Sequence, residues 1–194
     1  MAEVCTDNIA KNIVSNCTTQ PNGFLEVKAW IGSRADYANA YTFDATYPNK
    51  VTNIASVSTK KLFTITGVKK LLNAGHNIVN ADDRADRFTH FFSFHGFEMK
   101  AEDIANIDAM KDVFVIVERK DKLIGGDGTF VGYGLKNGLF KSADTRRAND
   151  INSARSLELT SLGGSEEPWS EYTILKTDYA TTLAMLVALE IAGA

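Results

Sequence analysis

Turns rich in glycine cut this chain into many short apolar runs, and that rhythm points to a sheet protein. Runs at 24–31, 51–57, 61–66, 88–99, 113–117, 129–135, 155–160 and 172–175 mostly have strand length, well short of an average helix. Val113-Phe-Val-Ile-Val117 is β-branched or aromatic at every position, the composition that a pleated, buried surface favours. In the first run Leu25, Val27, Ala29 and Ile31 alternate with Glu26, Lys28 and Trp30, the period of a half-buried strand. Phe88, His90, Phe92 and Phe94 share one face of an aromatic strand, and Phe91, Ser93, His95 and Phe97 share the other, which predicts burial on both sides. Gly125-Gly126-Asp127-Gly128 reads as a turn, and Asn137-Gly138 as a two-residue hairpin that returns the strand at Leu139. The expected fold is α+β, mainly β: a β-sandwich or small barrel with flanking helices.

Three helices are predicted around it. Cys5, Ile9, Ile13 and Cys17 recur every fourth position, with Ala10 and Val14 widening the stripe. On that helix the two cysteines stand roughly 18 Å apart, beyond the roughly 7 Å a disulfide allows, so both read as small hydrophobes. Ile104, Ile107 and Met110 mark a short helix over 101–111. The last helix starts at Asp178, a good N-cap, and runs to Ile191 with Leu183, Leu186, Val187 and Ile191 on one face.

Two stretches lack a clean period. Residues 32–48 carry Tyr37, Tyr41, Phe43 and Tyr47 among small residues and read as an extended loop. Residues 73–87 follow a short helical or turn segment at 68–72, place His76 in a loop, and end in the mixed-charge cluster Asp82, Asp83, Arg84, Asp86 and Arg87. Residues 142–153 read as polar connection. The expectation is one structural domain over 1–194 with extended loops, or arms, at about 32–48 and 73–87.

Composition narrows the function. With 194 residues, 44% of them hydrophobic, the chain can bury a sizeable core. A charged fraction of 23% and a formal charge of −3 point away from a disordered or DNA-coating protein. No apolar run reaches the roughly 20 residues of a membrane span, and Glu3 and Asp7 stand where a secretory signal places lysines, so synthesis in cytoplasm is expected. Asn16-Cys17-Thr18 then matches the glycosylation pattern by chance.

Nor do the polar residues assemble a reaction. His90 and His95 point to opposite faces of a continuous strand, so they share no metal without a bulge at Gly96. Asp82, Asp83 and Asp86 lack calcium-loop spacing, and Arg84 and Arg87 neutralise them. The glycines at 125, 126 and 128 lack the following helix and Lys-Ser/Thr of a phosphate loop, and no Gly-x-Ser-x-Gly elbow occurs. Glu166 and Glu167 have no acid partner in sequence, and the Arg146-Arg147 doublet is too small a basic footprint for nucleic acid. The expectation is a protein that is not an enzyme and uses neither cofactor nor metal.

From Phe88 onward the order is specific: aromatic strand, Ile-Ile-Met helix, Val113-Phe-Val-Ile-Val117, Gly-rich turn, then Thr129-Phe-Val-Gly-Tyr-Gly-Leu-Lys-Asn-Gly-Leu139. Asn149-Asp150, Leu157-Glu-Leu-Thr160 and Glu166-Glu167-Pro168 follow, and the N-terminal part has a cysteine, a Pro-Asn-Gly turn and a Leu-Glu-Val strand. This sequence resembles the tail tube (major tail) and related virion structural proteins of tailed bacteriophages infecting Bacteroidetes. The resemblance implies a subunit that self-assembles with itself into stacked hexameric rings in the virion tail, in contact with other tail proteins. Its lumen passes DNA during ejection without binding it specifically, and assembly takes place in the bacterial cytoplasm with no membrane partner.

Ring and stack contacts need exposed edges or arms, for which Tyr37, Tyr41, Phe43, Tyr47, Asp82, Asp83, Arg84, Asp86 and Arg87 are the interface candidates. A lumen that releases DNA should be neutral or acidic, which nominates Asp127, Glu166 and Glu167, with Asp82, Asp83 and Asp86 as further loop acids. Two alternatives stay open. One is another virion part, a connector, terminator or capsid decoration protein. The other is a carbohydrate- or host-binding β module in which Trp30, Tyr41, Tyr47 and Trp169 are stacking platforms.

Overall fold

A computed structural model describes residues 25–57, 61–66, 72–80, 85–96, 100–120, 126–147 and 154–190. The N-terminal helix with Cys5 and Cys17, the charges Asp82, Asp83 and Arg84, and Ile191 lie outside the described residues. In chain order the elements are β1 (Leu25–Ser33), α1 (Arg34–Tyr37), β2 (Tyr41–Phe43), β3 (Lys50–Ile54), β4 (Phe63–Thr66), β5 (Leu72–Val79) and β6 (Arg87–Gly96). There follow α2 (Ala101–Ala109), β7 (Val113–Arg119), β8 (Phe130–Tyr133), β9 (Phe140–Arg146), β10 (Arg155–Thr160), β11 (Tyr172–Ile174) and α3 (Tyr179–Ala188).

The strands form two open sheets, so the fold is a mainly β sandwich with helices and not a closed barrel. A seven-stranded sheet has the order β2-β3-β11-β8-β7-β1-β4, and a four-stranded sheet the order β5-β6-β10-β9. Alternation along the strands explains the layering. Ala29, Ile31, Val113, Val115, Val117, Val131 and Tyr133 point from the larger sheet toward Phe92, Phe94, Leu157 and Leu159 of the smaller one. Their odd-even neighbours Trp30, Phe114, Ile116 and Phe130 point the other way, onto Tyr37 and onto Met185, Leu186 and Leu189 of the α3 region. β7 and β8 are therefore apolar at successive positions because both of their faces are covered, as the sequence run 113–117 requires.

α3 begins where predicted: Asp178 Oδ1 accepts the Thr181 N–H at 2.8 Å. Its covered face differs from the expectation. Thr182, Met185 and Leu186 are buried while Val187 is half exposed; the buried Thr182 is satisfied because its Oγ1 donates to the Asp178 carbonyl and accepts the Lys176 N–H.

Several readings of the polar stretches are corrected. Residues 32–48 are not an arm. β1 continues through Ser33, α1 turns the chain, and Tyr37 (1% exposed) and Tyr41 pack edge-on against Phe114 in the core, leaving only Phe43 and Tyr47 at the surface. Residues 72–79 form β5, paired along its whole length with β6, so the segment is a regular edge strand and His76 lies opposite His90 rather than in a loop. Residues 142–146, read as polar connection, continue the strand that starts at Phe140 and form with it edge strand β9. Both strands were hidden because an edge strand of this sandwich has little apolar surface to alternate.

Asn137-Gly138 is not a two-residue hairpin. β8 pairs with β7 and β11, whereas β9 belongs to the other sheet, so 134–138 is the corner where the chain changes sheets. Gly138 donates its N–H to the Gly134 carbonyl at 3.1 Å, and Leu139 then exchanges two backbone bonds with Val113. At φ +82° a Cβ on Gly138 would lie 2.0 Å from Asp112 Oδ1, so only glycine closes this corner.

Candidate functional site

Chemistry-bearing groups gather first at this corner. His90 occupies the inward face of β6 and is fully buried. Its Nδ1 accepts the Gly134 N–H at 3.0 Å, which fixes the proton on Nε2, and Nε2–H donates to the Trp169 carbonyl at 2.8 Å. The rings of Tyr133 and Tyr172 stand edge-on to it at 5.2 and 6.3 Å. Burial, with His76 adding a like charge, pulls its pKa down to about 4 against the pull of the carbonyls.

Glu167 is equally buried, so it is neither a loop acid nor a lumen residue. Oε1 accepts the N–H groups of Lys136 (3.2 Å) and Asn137 (2.7 Å), and Oε2 accepts the Tyr172 hydroxyl at 2.9 Å. Burial raises its pKa and those donors oppose the rise. Main-chain bonds tie Glu167 to Phe88 on β6 in both directions. Beside it Arg34 forks onto Asp112, Nε to Oδ1 at 2.7 Å and Nη2 to Oδ2 at 2.6 Å, with Nη1 reaching the Lys136 carbonyl. Tyr41 completes the cluster; its hydroxyl is buried without a hydrogen-bond partner among the described residues, and burial pushes its pKa well up. Every other polar atom of His90 and Glu167 just described is committed to a protein partner. This cluster is a clamp that sets the corner and the 161–170 segment against β6.

A groove of about 610 Å³ lies elsewhere, along the outer side of β4 and under α2. Ile31, Ile65, Phe94, Ile107 and Met110 line it, and His95 and Asp103 are its polar members. His95 Nδ1 is buried there with no hydrogen-bond partner among the described residues. His90 and His95 do point to opposite sides of β6, as its alternation requires. Among the described residues no group of three or more His, Cys, Asp or Glu is placed to hold a metal. Among them, too, no helix is long and apolar enough to cross a membrane.

No family model, no curated protein and no solved structure matches this chain. Its surfaces therefore carry the functional argument.

The four-stranded sheet presents the most distinctive of them. Inward residues Phe92, Phe94, Leu157 and Leu159 are buried, so the alternate positions form an outer face: Asn73, Asn77, Thr89, Ser93, Ser156, Thr160 and Thr145 around the Phe91 ring, which covers Gly75, with Arg87 and Glu158 as its charges and His95 at one margin. Hydroxyl and amide groups surround Phe91 on that face. Both edges, β5 and β9, have no strand partner among the described residues. The seven-stranded sheet also ends in strands whose outer edges have no strand partner among the described residues, β2 with Phe43 42% exposed and β4 with Phe63 49% exposed.

Of the predicted interface residues, Phe43 and Tyr47 are at the surface, Tyr37 and Tyr41 are core, Asp86 is exposed and Arg87 opens β6 on the outer face. Asp127 is exposed in the turn before β8 and lies 3.5 Å from Lys50. Glu166 accepts the Gly164 N–H through Oε1, and its carbonyl accepts from Asn137, so it belongs to the 161–170 segment. The structure does not bring Asp127, Glu166 and Glu167 together on one surface. Sequence reasoning missed the Ser/Thr/Asn positions as one face because β5 and β9 had not been recognised as strands, so nothing placed Asn73, Asn77 and Thr145 beside Ser93 and Ser156.

Proposed function

We propose that this chain is a structural virion protein, the tail tube subunit of a tailed phage, whose copies close into rings that stack around a channel for DNA. The resemblance in element order motivates the reading, and the four-stranded sheet is the observation that supports it best. Its order β5-β6-β10-β9 is antiparallel at every step, so β5 and β9 run in opposite directions. A second copy related by rotation about an axis along the strands would bring its β5 beside the first copy's β9, again antiparallel. An even number of alternating strands can repeat in this way without a mismatched joint, and the partners are of similar length, 8 and 7 residues. Closure would satisfy both exposed edges at once, the only complete remedy for edge strands.

Six copies, the number the resemblance implies, would give a barrel roughly 48 Å across at backbone level for a strand spacing of about 4.8 Å and a tilt of about 40°. Its lining would be this outer face, hydroxyl and amide groups around Phe91, on which Glu158 and Arg87 largely cancel. Such a lining suits a conduit, because clustered cations would release counterions and hold the DNA at every ring. Glu158 and the Ser/Thr/Asn positions replace Asp127, Glu166 and Glu167 as lumen candidates.

The carbohydrate-binding alternative loses two of its four platforms, since Trp30 is fully buried and Tyr41 packs on Phe114. Negative-stain microscopy and native mass measurement of the purified chain test the tube reading. Rings or tubes with a central channel are the expected result, and a monomer at all concentrations would overturn it.

A further inference from the structure

His90 joins three parts of the fold through one ring: β6 by its backbone, the corner at 134–138 through Gly134, and the 161–170 segment through Trp169. We infer that His90 is a proton-operated latch, which holds the corner closed while its ring is neutral and releases it when Nδ1 takes a proton.

The hydrogen-bond pattern defines the two states. Both bonds are satisfied only by the neutral ring with its proton on Nε2. A proton on Nδ1 sets N–H against the Gly134 N–H across 3.0 Å, and no lone pair remains to accept it. It also creates a cation in a fully buried site faced by Tyr133 of β8 and Tyr172 of β11. On β5, His76 is the Cα partner of His90 and disfavours a charge on its ring. Arg87 lies on β6 itself. From the 161–170 segment Glu167 holds the same corner through Lys136 and Asn137, and Arg34 with Asp112 braces it from the far side. Acid acts differently on these neighbours: a protonated Glu167 keeps an oxygen able to accept from the corner, so it does not reproduce the donor-against-donor contact at His90.

Linkage gives the size. The closed ring protonates near pH 4 and a released ring near its ordinary 6.5. Opening therefore gains about tenfold per unit as pH falls through that window, roughly 300-fold in all. Release of the corner would bare Leu135, buried in the closed form, and free Trp169. The inference is independent of the tube reading.

Amide hydrogen exchange on the full chain tests it, corrected for intrinsic rates and read at Gly134 against Val115 and Val117 of β7. In the wild type the Gly134 opening constant should rise on the order of 100-fold from pH 7 to 4, ahead of the β7 amides. His90→Asn, which keeps an acceptor for Gly134 and cannot titrate, should abolish that extra rise. Should that variant not fold, the ring nitrogen shifts of wild-type His90 serve instead: they should titrate below 6.5, together with Gly134 opening. Gly134 and β7 amides exchanging in parallel, a flat Gly134 profile, or a ring that charges while Gly134 stays protected would each overturn the latch.

Discussion

Replacing Glu167 with alanine is the sharpest perturbation of this fold. The carboxylate accepts from Lys136 N, Asn137 N and the Tyr172 hydroxyl in a site closed to solvent. Alanine strands three donors, each costing about 1–3 kcal/mol when left buried and unmatched. The corner can turn some of them toward water, so a net loss of about 4 kcal/mol is expected, or roughly 8–16 °C in Tm for a chain of this size. Glu167→Gln keeps an oxygen for the two amides and offers its NH2 to the Tyr172 oxygen, which should limit the loss to about 1 kcal/mol. The pH dependence separates charge from hydrogen bonding. Because burial raises the Glu167 pKa, its proton is held more tightly in the folded chain than in the unfolded one. That contribution is present in full below the ordinary glutamate pKa and is lost as pH rises through the folded value. The stability gap between wild type and Glu167→Gln should therefore narrow between pH 4 and 7. Urea unfolding at several pH values reads both quantities. A Glu167→Ala protein within about 1 kcal/mol of wild type would show that the carboxylate does not carry the corner.

Other expectations follow from the same geometry. Gly138→Ala should cost about 2 kcal/mol or more in thermal unfolding, since the new Cβ meets Asp112 at a positive φ; an unchanged Tm would refute the reading. Leu157→Ala, at a fully buried position between the sheets, should lose about 2–5 kcal/mol in a urea titration with its slope unchanged. Acrylamide should quench Trp169, 40% exposed, and spare the fully buried Trp30, so Trp169→Phe should leave a blue-shifted, poorly quenched emission. If the tube reading holds, lysines at Ser93 and Ser156 should leave rings intact and slow DNA release from virions; normal ejection would separate lumen charge from function.

What could be read in the sequence was what burial writes into it. β6, β7, β8 and β10 were legible because residues such as Phe92, Val115, Val131 and Leu157 must be apolar to fill the space between sheets. β5 and β9 were not, since their outer faces meet solvent and their composition is set by solubility. Tyr37 and Tyr41 were misplaced because a four-residue helix and a three-residue strand are too short to show a period. Glu167 looked like a loop acid because its partners at 136 and 137 lie about 30 residues away, a distance that only the fold closes.

The position of β11 in the sheet has a bearing on how the chain is made. This late strand lies between β3, to which it is parallel, and β8, to which it is antiparallel. The β2–β3 pair, made more than a hundred residues earlier, has no other strand connection to the rest of its sheet among the described residues. A nascent chain must therefore keep that pair waiting until residue 174 has left the ribosome, since non-local pairing comes late and slowly. Once in place, β11 finishes both the larger sheet and the floor under Phe43, so the β2 rim is completed only when the last strand has been made.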